Sequence, residues 1–277
     1  MITTTKRLLE SAAETNSAIA AFNCYNAETV QAAISAGEKA NKGVIIAYGE
    51  RYQDYMNIEA FSAFTKELGA QATIPVSLHL DHSYQIKTIE RAIACGFSSV
   101  MYDGSAFPME ENVKQTKQVV ELAHAAGVFV EAEIGSMEKG DFSDEEEGNG
   151  KLTDPAEAAW FVQETNVDFL AASIGTVHGM YKGEPNLRLD LLQEIASSIN
   201  IPLVLHGGSG TPEDQILKAI DRGIRKINVN TEISLAAVKT MRGQLLKNPS
   251  IHLSNLMTAA QQTMIEQMHK MIEVYKN

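Results

Sequence analysis

The sequence predicts an α/β chain folded as a (β/α)8, or TIM, barrel with an extra C-terminal helical segment. Three observations lead there. Short apolar runs alternate with amphipathic stretches from one end to the other, eight such runs can be marked, and three of them finish at a histidine followed by small or polar residues. The 277 residues match one barrel-sized domain covering 1–277, and no Pro/Ser-rich linker divides them. A doubly wound open sheet is the competing arrangement, but the G-x-G-x-x-G fingerprint after a first strand is missing.

The units follow in order. "AIAAFNC" (18–24) reads as a strand and "AETVQAAISAGEKAN" as the helix after it; "GVIIAYG" (43–49) is the second strand. "PVSLHLD" (75–81) precedes "QIKTIERAIAC", and "FSSVMYD" (97–103) precedes "MEENVKQTKQVVELAHAA". "GVFVEAEI" (127–134) leads to "DPAEAAWFVQET", where Asp154-Pro155 makes a helix start, because aspartate caps free N–H groups and proline at the first helical position loses nothing. "VDFLAAS" (167–173) precedes "LRLDLLQEIASSI"; "PLVLHG" (202–207) precedes "TPEDQILKAIDRG", opened by Thr211-Pro212; "RKINVN" (225–230) is the eighth strand. The stretch from roughly 250 to 275 is helical with no strand after it, so it caps the barrel or packs on another subunit. One connection differs from the rest. Residues 135–151, "GSMEKGDFSDEEEGNGK", form a long polar segment of the kind that serves as a lid or is mobile, with its acidic run 144–147 reading as a solvated face.

Composition narrows the function. The formal net charge is −12, from 23 basic and 35 acidic residues, which argues against nucleic acid or an anionic membrane as partner. The start, "MITTTKRLLESAAETNS", is broken by charges and lacks a signal peptide's apolar core, and no run of about 18 apolar residues occurs, so a cytoplasmic, soluble protein is expected. Cys24 and Cys95 read as two reduced thiols without metal-ligand spacing.

In a barrel of this kind, residues at the C-terminal strand ends converge on one mouth. His82, His178 and His206 follow strands three, six and seven, and three imidazole ligands with an open fourth position suit catalytic zinc or a similar divalent ion. His79, on the strand, reads as a core or supporting residue; His124, His252 and His269 lie on helical segments. Asp81, beside His82, is either a proton-transfer group or the partner that orients an imidazole. Asp103 closes strand four. Glu131 and Glu133 alternate along strand five, so both can point into the barrel, where a nearby cation would offset the cost of burying them.

Gly-rich turns on the other half of the mouth, "HGMYKG", "HGGSG" and "NVNTE", suit a phosphate: glycines admit close approach of backbone N–H groups, Ser209 and Thr231 add hydroxyls, and Lys182 adds a charge. A divalent ion beside a phosphate cradle points to a phosphorylated sugar, and isomerases, epimerases and metal aldolases all fit.

Taken together and in this order, "AFNCYN", "HLDHS", "GFSSVMYDGS", "PMEENV", "VEAEIG", "GTVHGMYKGEPNL", "LVLHGGSG" and "KINVNTE" resemble the class II, zinc-dependent ketose-bisphosphate aldolases over most of the chain. The resemblance implies a lyase of carbohydrate metabolism acting on fructose or tagatose 1,6-bisphosphate, with dihydroxyacetone phosphate and an aldehyde such as glyceraldehyde 3-phosphate as products. It makes Asp81 the proton carrier at the C4 hydroxyl and His82, His178 and His206 the zinc ligands, with Asp103 and Glu133 at a second divalent-metal position. Gly179, Lys182, Gly207, Gly208, Ser209, Asn228, Val229, Asn230 and Thr231 would hold the substrate, with a monovalent cation, Na+ or K+, nearby. A homodimer or homotetramer is implied as well. The alternatives are an aldolase for an inositol-pathway deoxy-keto-gluconate phosphate, a metal-dependent sugar-phosphate epimerase, and a non-catalytic sugar-phosphate binder. Two departures stand out: the family's Gly-Gly-x-Glu-Asp loop is replaced by "SMEKGDFSDEEEG", leaving Asp141 or one of Glu145, Glu146 and Glu147 for its glutamate's role, and Ser83 replaces a common glycine.

Overall fold

A computed structural model describes residues 1–144 and 148–275. Along the chain, α1 (Thr5–Glu14) precedes β1 (Ile19–Asn23), α2 (Ala27–Ala40) and β2 (Val44–Gly49). A 3-10 turn (Glu50–Asp54) leads to α3 (Ile58–Gln71), β3 (Val76–Ser83), α4 (Ile86–Ala94), β4 (Ser99–Tyr102), α5 (Met109–Ala125) and β5 (Phe129–Ile134). Then come the short β6 (Glu138–Lys139), α6 (Pro155–Thr165), β7 (Phe169–Ala172) and the equally short β8 (Val177–His178). The chain continues through α7 (Leu189–Ser198), β9 (Leu203–Leu205), α8 (Glu213–Ile220), β10 (Ile224–Val229), α9 (Thr231–Lys247) and α10 (Leu253–Tyr275).

Eight of these strands close a parallel barrel in the order β1-β10-β9-β7-β5-β4-β3-β2, as the alternating pattern predicts. Local chemistry starts the helices where expected. Asp154 accepts the N–H groups of Ala156 and Glu157 at 2.8 and 3.0 Å at the head of α6, and Asn26 with Thr29 forms a reciprocal cap on α2. β2 and β3 are buried throughout because one face lines the barrel and the other meets helices.

The barrel interior is split by polarity. At its N-terminal end, Leu8 and Leu9 of α1 pack with Ala21, Ile45, Phe169, Ala171 and Val204 and plug the floor. Above that floor the inward positions turn polar: His79 and Asp81 on β3, Glu131 and Glu133 on β5, Lys226 and Asn228 on β10, all buried. That polarity locates the site at the C-terminal end. Outside, α10 lays Ala260, Met264, Met268, Ile272 and Tyr275 inward, packing along α2 and α9. Its methionine stripe is therefore intramolecular core. No helix among the described residues is long and apolar enough to cross a membrane.

The 135–151 connection is less open than its composition suggests. β6 pairs in parallel with β8, Asp141 bridges Met180, and Gly140 N–H donates to the His178 carbonyl at 2.7 Å, so the loop is sewn to the segment that carries His178. Polar composition hid this because a two-residue strand has no periodicity to read. Glu145, Glu146 and Glu147 lie outside the described residues.

Candidate active site at the barrel mouth

One pocket at the C-terminal end of the barrel is lined by Asn23, Asp81, His82, Asp144, His178, Gly179, His206, Gly207, Ser209, Asn228, Asn230 and Thr231. It gathers ten of the residues singled out from sequence. Gly208, Val229, Lys182, Asp103 and Glu133 stand outside that lining. Gly208 spends its N–H on the Asn228 carbonyl at 3.0 Å, joining two loops, and Lys182 is exposed.

The three histidine rings form an edge-on cluster, with His82 5.1 Å from His178 and 4.7 Å from His206 between centroids. The outer nitrogens of His82 and His206 are accounted for by carboxylates. His82 Nδ1 lies 2.8 Å from Asp103 Oδ2, and His206 Nε2 lies 2.8 Å from Glu131 Oε1. Both carboxylates are held below the usual range: burial opposes this, but His82 outweighs it for Asp103, and Lys226 then His79 outweigh it for Glu131, which falls to about 2. Ionised carboxylates only accept, so each of those imidazole nitrogens carries the proton and donates. The inner nitrogens, His82 Nε2 and His206 Nδ1, face each other at 2.9 Å, within hydrogen-bond distance. His178 Nε2 is buried with no partner, and burial, then the neighbouring His82, keep that imidazole well below its ordinary value and neutral.

Charge bookkeeping gives the same answer. Asp81, Asp103, Glu131 and Glu133 are buried around this interior against one buried amine, Lys226. The ligand atoms of His82, His178 and His206 lie within 4.8 Å of one another, and so do those of His82, Asp103 and Glu133. Three convergent imidazoles in a carboxylate-rich interior are a donor set that fits a divalent zinc-like cation. Asp103 also accepts Ser105 N–H and Oγ–H at 3.1 and 2.6 Å, which fixes it behind His82.

Asp81 is held from both sides. Asn23 Nδ2 donates to Oδ2 at 2.7 Å and Asn228 Nδ2 to Oδ1 at 2.9 Å, while Asn228 Oδ1 is buried without a partner. Burial would raise this carboxyl, but His82, then Lys226, His206 and His79, hold it well below the ordinary range. It is a poised, ionised base.

The other half of the pocket is backbone-rich. Gly179 (φ 108°) and Gly207 (φ 71°) adopt left-handed conformations, and a Cβ at Gly179 would stand 2.6 Å from the Asp141 carbonyl. Thr231 opens the 17-residue α9, and Ser209 Oγ accepts Glu232 N–H at 3.2 Å. A helix N-terminus beside glycine turns attracts an anion. Opposite, Asp144 reaches into the pocket from the 135–151 loop, held by Tyr52 Oη–H at 2.7 Å and Asn230 Nδ2 at 3.0 Å, with Arg51 3.6 Å away. It lines the pocket wall while its side chain stays 45% exposed, in keeping with the solvated reading of the acidic run.

Sequence reading missed Asn23, Asp144, Tyr52 and Lys226. Asn23 carried a usable signal, a polar residue ending an apolar strand as Asp81 does; Lys226 stands two residues before Asn228 on one strand face. Tyr52 and Asp144 carried none.

A family model, Fructose-bisphosphate aldolase class-II, matches residues 3–277. The chain belongs to the class II fructose-bisphosphate aldolase family. It is therefore an aldolase, a lyase, of a family that is in general zinc-dependent. Among similar proteins, a sulfofructosephosphate aldolase of Alkalicoccus urumqiensis is 38% identical over 274 residues, 98% of this chain and 95% of the relative. A 6-phospho-5-dehydro-2-deoxy-D-gluconate aldolase of Shouchella clausii is 44% identical over 234 residues, 83% of this chain and 78% of the relative. The crystal structure of the YdjI aldolase from Escherichia coli K12 superposes with a TM-score of 0.89 at 34% identity, covering 99% of this chain and 97% of that one. The two named relatives differ in the sugar phosphate their names give, while the YdjI structure shares this fold.

Proposed function

We propose that this class II aldolase cleaves and forms the C3–C4 bond of a ketohexose bisphosphate, fructose or tagatose 1,6-bisphosphate, with dihydroxyacetone phosphate as one product. The observation that carries the reading is the convergence of the His82 and His206 nitrogens, 2.9 Å apart, beside an orphaned His178 nitrogen and next to a clamped, ionised Asp81. His82, His178 and His206 would hold zinc, which when bound supplies Lewis-acid stabilisation of charge developing on substrate oxygens. The cradle of Gly179, Gly207, Ser209, Asn230 and Thr231 receives the C1 phosphate at the head of α9.

Asp81 takes the proton of the C4 hydroxyl as the C3–C4 bond breaks; the C4 oxygen becomes the aldehyde oxygen and the bond's electron pair passes to C3 and C2 as an enediolate. Asn23 and Asn228 keep Asp81 aimed, and the unpartnered Asn228 Oδ1 accepts a substrate hydroxyl. Asp144, facing the pocket from the loop, delivers the proton to C3 and takes it back in the synthetic direction. Asp103 and Glu133 together with His82 support a second divalent position, and Na+ or K+ would sit by the phosphate. Homo-oligomerisation rests on the resemblance, and a cytoplasmic site on the composition and the two unpaired cysteines.

The test is release of triose phosphate from fructose, tagatose and sorbose bisphosphates and from the deoxy-keto-gluconate phosphate, with and without a chelator. Release from a ketohexose bisphosphate that a chelator abolishes and zinc restores is expected. Full turnover in metal-free protein, or no cleavage of any of these with no tritium exchange from dihydroxyacetone phosphate, would remove the proposal. Release from the deoxy-keto-gluconate phosphate alone would select the second reading, motivated by the Shouchella clausii relative.

A further inference from the structure

Lys226 is fully buried in the barrel interior, below the pocket and outside its lining. An ammonium has three N–H donors and no acceptor, and three acceptors surround this one: Glu131 Oε2 at 2.8 Å, Glu131 Oε1 at 3.0 Å and His79 Nε2 at 3.2 Å. His79 is fixed in turn. Because its Nε2 accepts from the lysine, Nδ1 carries the proton and donates to Ser99 Oγ at 2.8 Å, and Ser99 lies 2.6 Å from Thr5 Oγ1 at the start of α1. The Glu131 carboxylate is thus gripped through both oxygens, and Oε1 is the atom that receives His206 Nε2–H at 2.8 Å.

A buried ion pair adds little net stability over apolar replacements, since desolvating two charges offsets their attraction. Orientation is what this pair can contribute. We propose that Lys226 is a positioning residue: through Glu131 it sets the ring angle and tautomer of His206, committing Nδ1 to the cation site and tightening that site for divalent metal. The inference rests on the reading that the three histidines hold a cation. His79 and Ser99 extend the same support to the barrel floor, so the N-terminal helix is mechanically continuous with the metal-facing imidazole.

The experiment is zinc affinity of the full chain, measured by competition with a chromophoric chelator, alongside nitrogen NMR of histidine-labelled, metal-free protein, which distinguishes Nε2–H from Nδ1–H imidazoles. Lys226→Met should weaken zinc about 10- to 100-fold, the usual cost of losing an outer partner of a metal ligand, and His206 should lose its single Nε2–H form. A packing role alone would lower the unfolding midpoint and move neither readout. If Lys226→Met does not fold, His79→Gln, which leaves the lysine–glutamate pair in place, should shift both readouts the same way by a smaller factor. Unchanged zinc affinity and an unchanged His206 tautomer in the folded variant would overturn the proposal while leaving the cation reading intact. Failure of the unmodified protein to bind zinc would overturn the cation reading, and this inference with it.

Discussion

Asp81 and His82 are consecutive residues of β3, yet both side chains line the same pocket wall. In a regular strand neighbours point to opposite faces. The exception is made by His82, whose φ of 35° is left-handed, and by a register slip against β4 between Leu80 and Ser83. A base and an imidazole ligand are thereby brought side by side. Asp81→Ala should lower kcat by about 10²- to 10⁴-fold, the range for a lost general acid-base group, while zinc content stays at the unmodified level. Steady-state kinetics with metal analysis checks this; loss of metal together with activity would make Asp81 a structural residue.

The strain at His82 is held by Glu50. Its buried carboxylate accepts Ser83 Oγ–H at 2.9 Å, Tyr84 N–H at 2.8 Å, Gln85 N–H at 3.3 Å and Thr88 Oγ1–H at 3.0 Å, replacing the missing side-chain cap of α4. Ser83 is thus a working donor in this turn. Glu50→Ala leaves those donors unpaired and should cost about 1–3 kcal/mol, seen as a lower urea midpoint, with weaker zinc retention on dialysis. An unchanged midpoint would show that the turn holds itself.

Much of this arrangement was legible in the chain. Short apolar runs marked all eight barrel strands, and Asp154-Pro155 marked the head of α6, because these signals are local and come from burial and capping alone. The three histidines were legible because barrel closure converts equivalent strand ends into neighbours. What stayed hidden is long-range. The span between the second and third strands carries the 3-10 turn and α3, and nothing local in it shows Glu50 and Tyr52 reaching across to Ser83 and Asp144. Lys226 reads as one more strand residue until β5 and β10 face each other across the barrel.

Asp144 is the one described loop carboxylate that lines the pocket. Tyr52 and Asn230 each donate to one of its oxygens, so replacement by Asn keeps the shape and one of these two hydrogen bonds while removing the charge. Asp144→Asn should reduce tritium exchange between dihydroxyacetone phosphate and water by about 10²-fold or more, with KM little changed, because proton transfer and not binding is lost. Exchange at the unmodified rate would assign that proton to another group.

Acid should destabilise the fold in two stages. Burial, then the nearby Lys226 charge, pushes His79 down to about 3, and His178 also lies well below the ordinary 6.5. A histidine kept neutral when folded but free to protonate when unfolded contributes stability that is complete above about pH 6.5 and drains as pH falls toward 3, because the unfolded chain binds the proton first. Glu131 is lowered from 4.5 to about 2, and Asp81 and Asp103 shift the same way, so their contribution is intact above about pH 4.5 and is lost as pH falls through 2. The urea midpoint of metal-free protein should therefore begin to fall below about pH 6.5 and fall more steeply below about 4.5. Replacing His79 by Gln removes one proton from the first stage and should flatten it, whereas the second should persist. A midpoint level from pH 7 to pH 5 would mean that the buried imidazoles titrate alike in both states, against the burial that surrounds them.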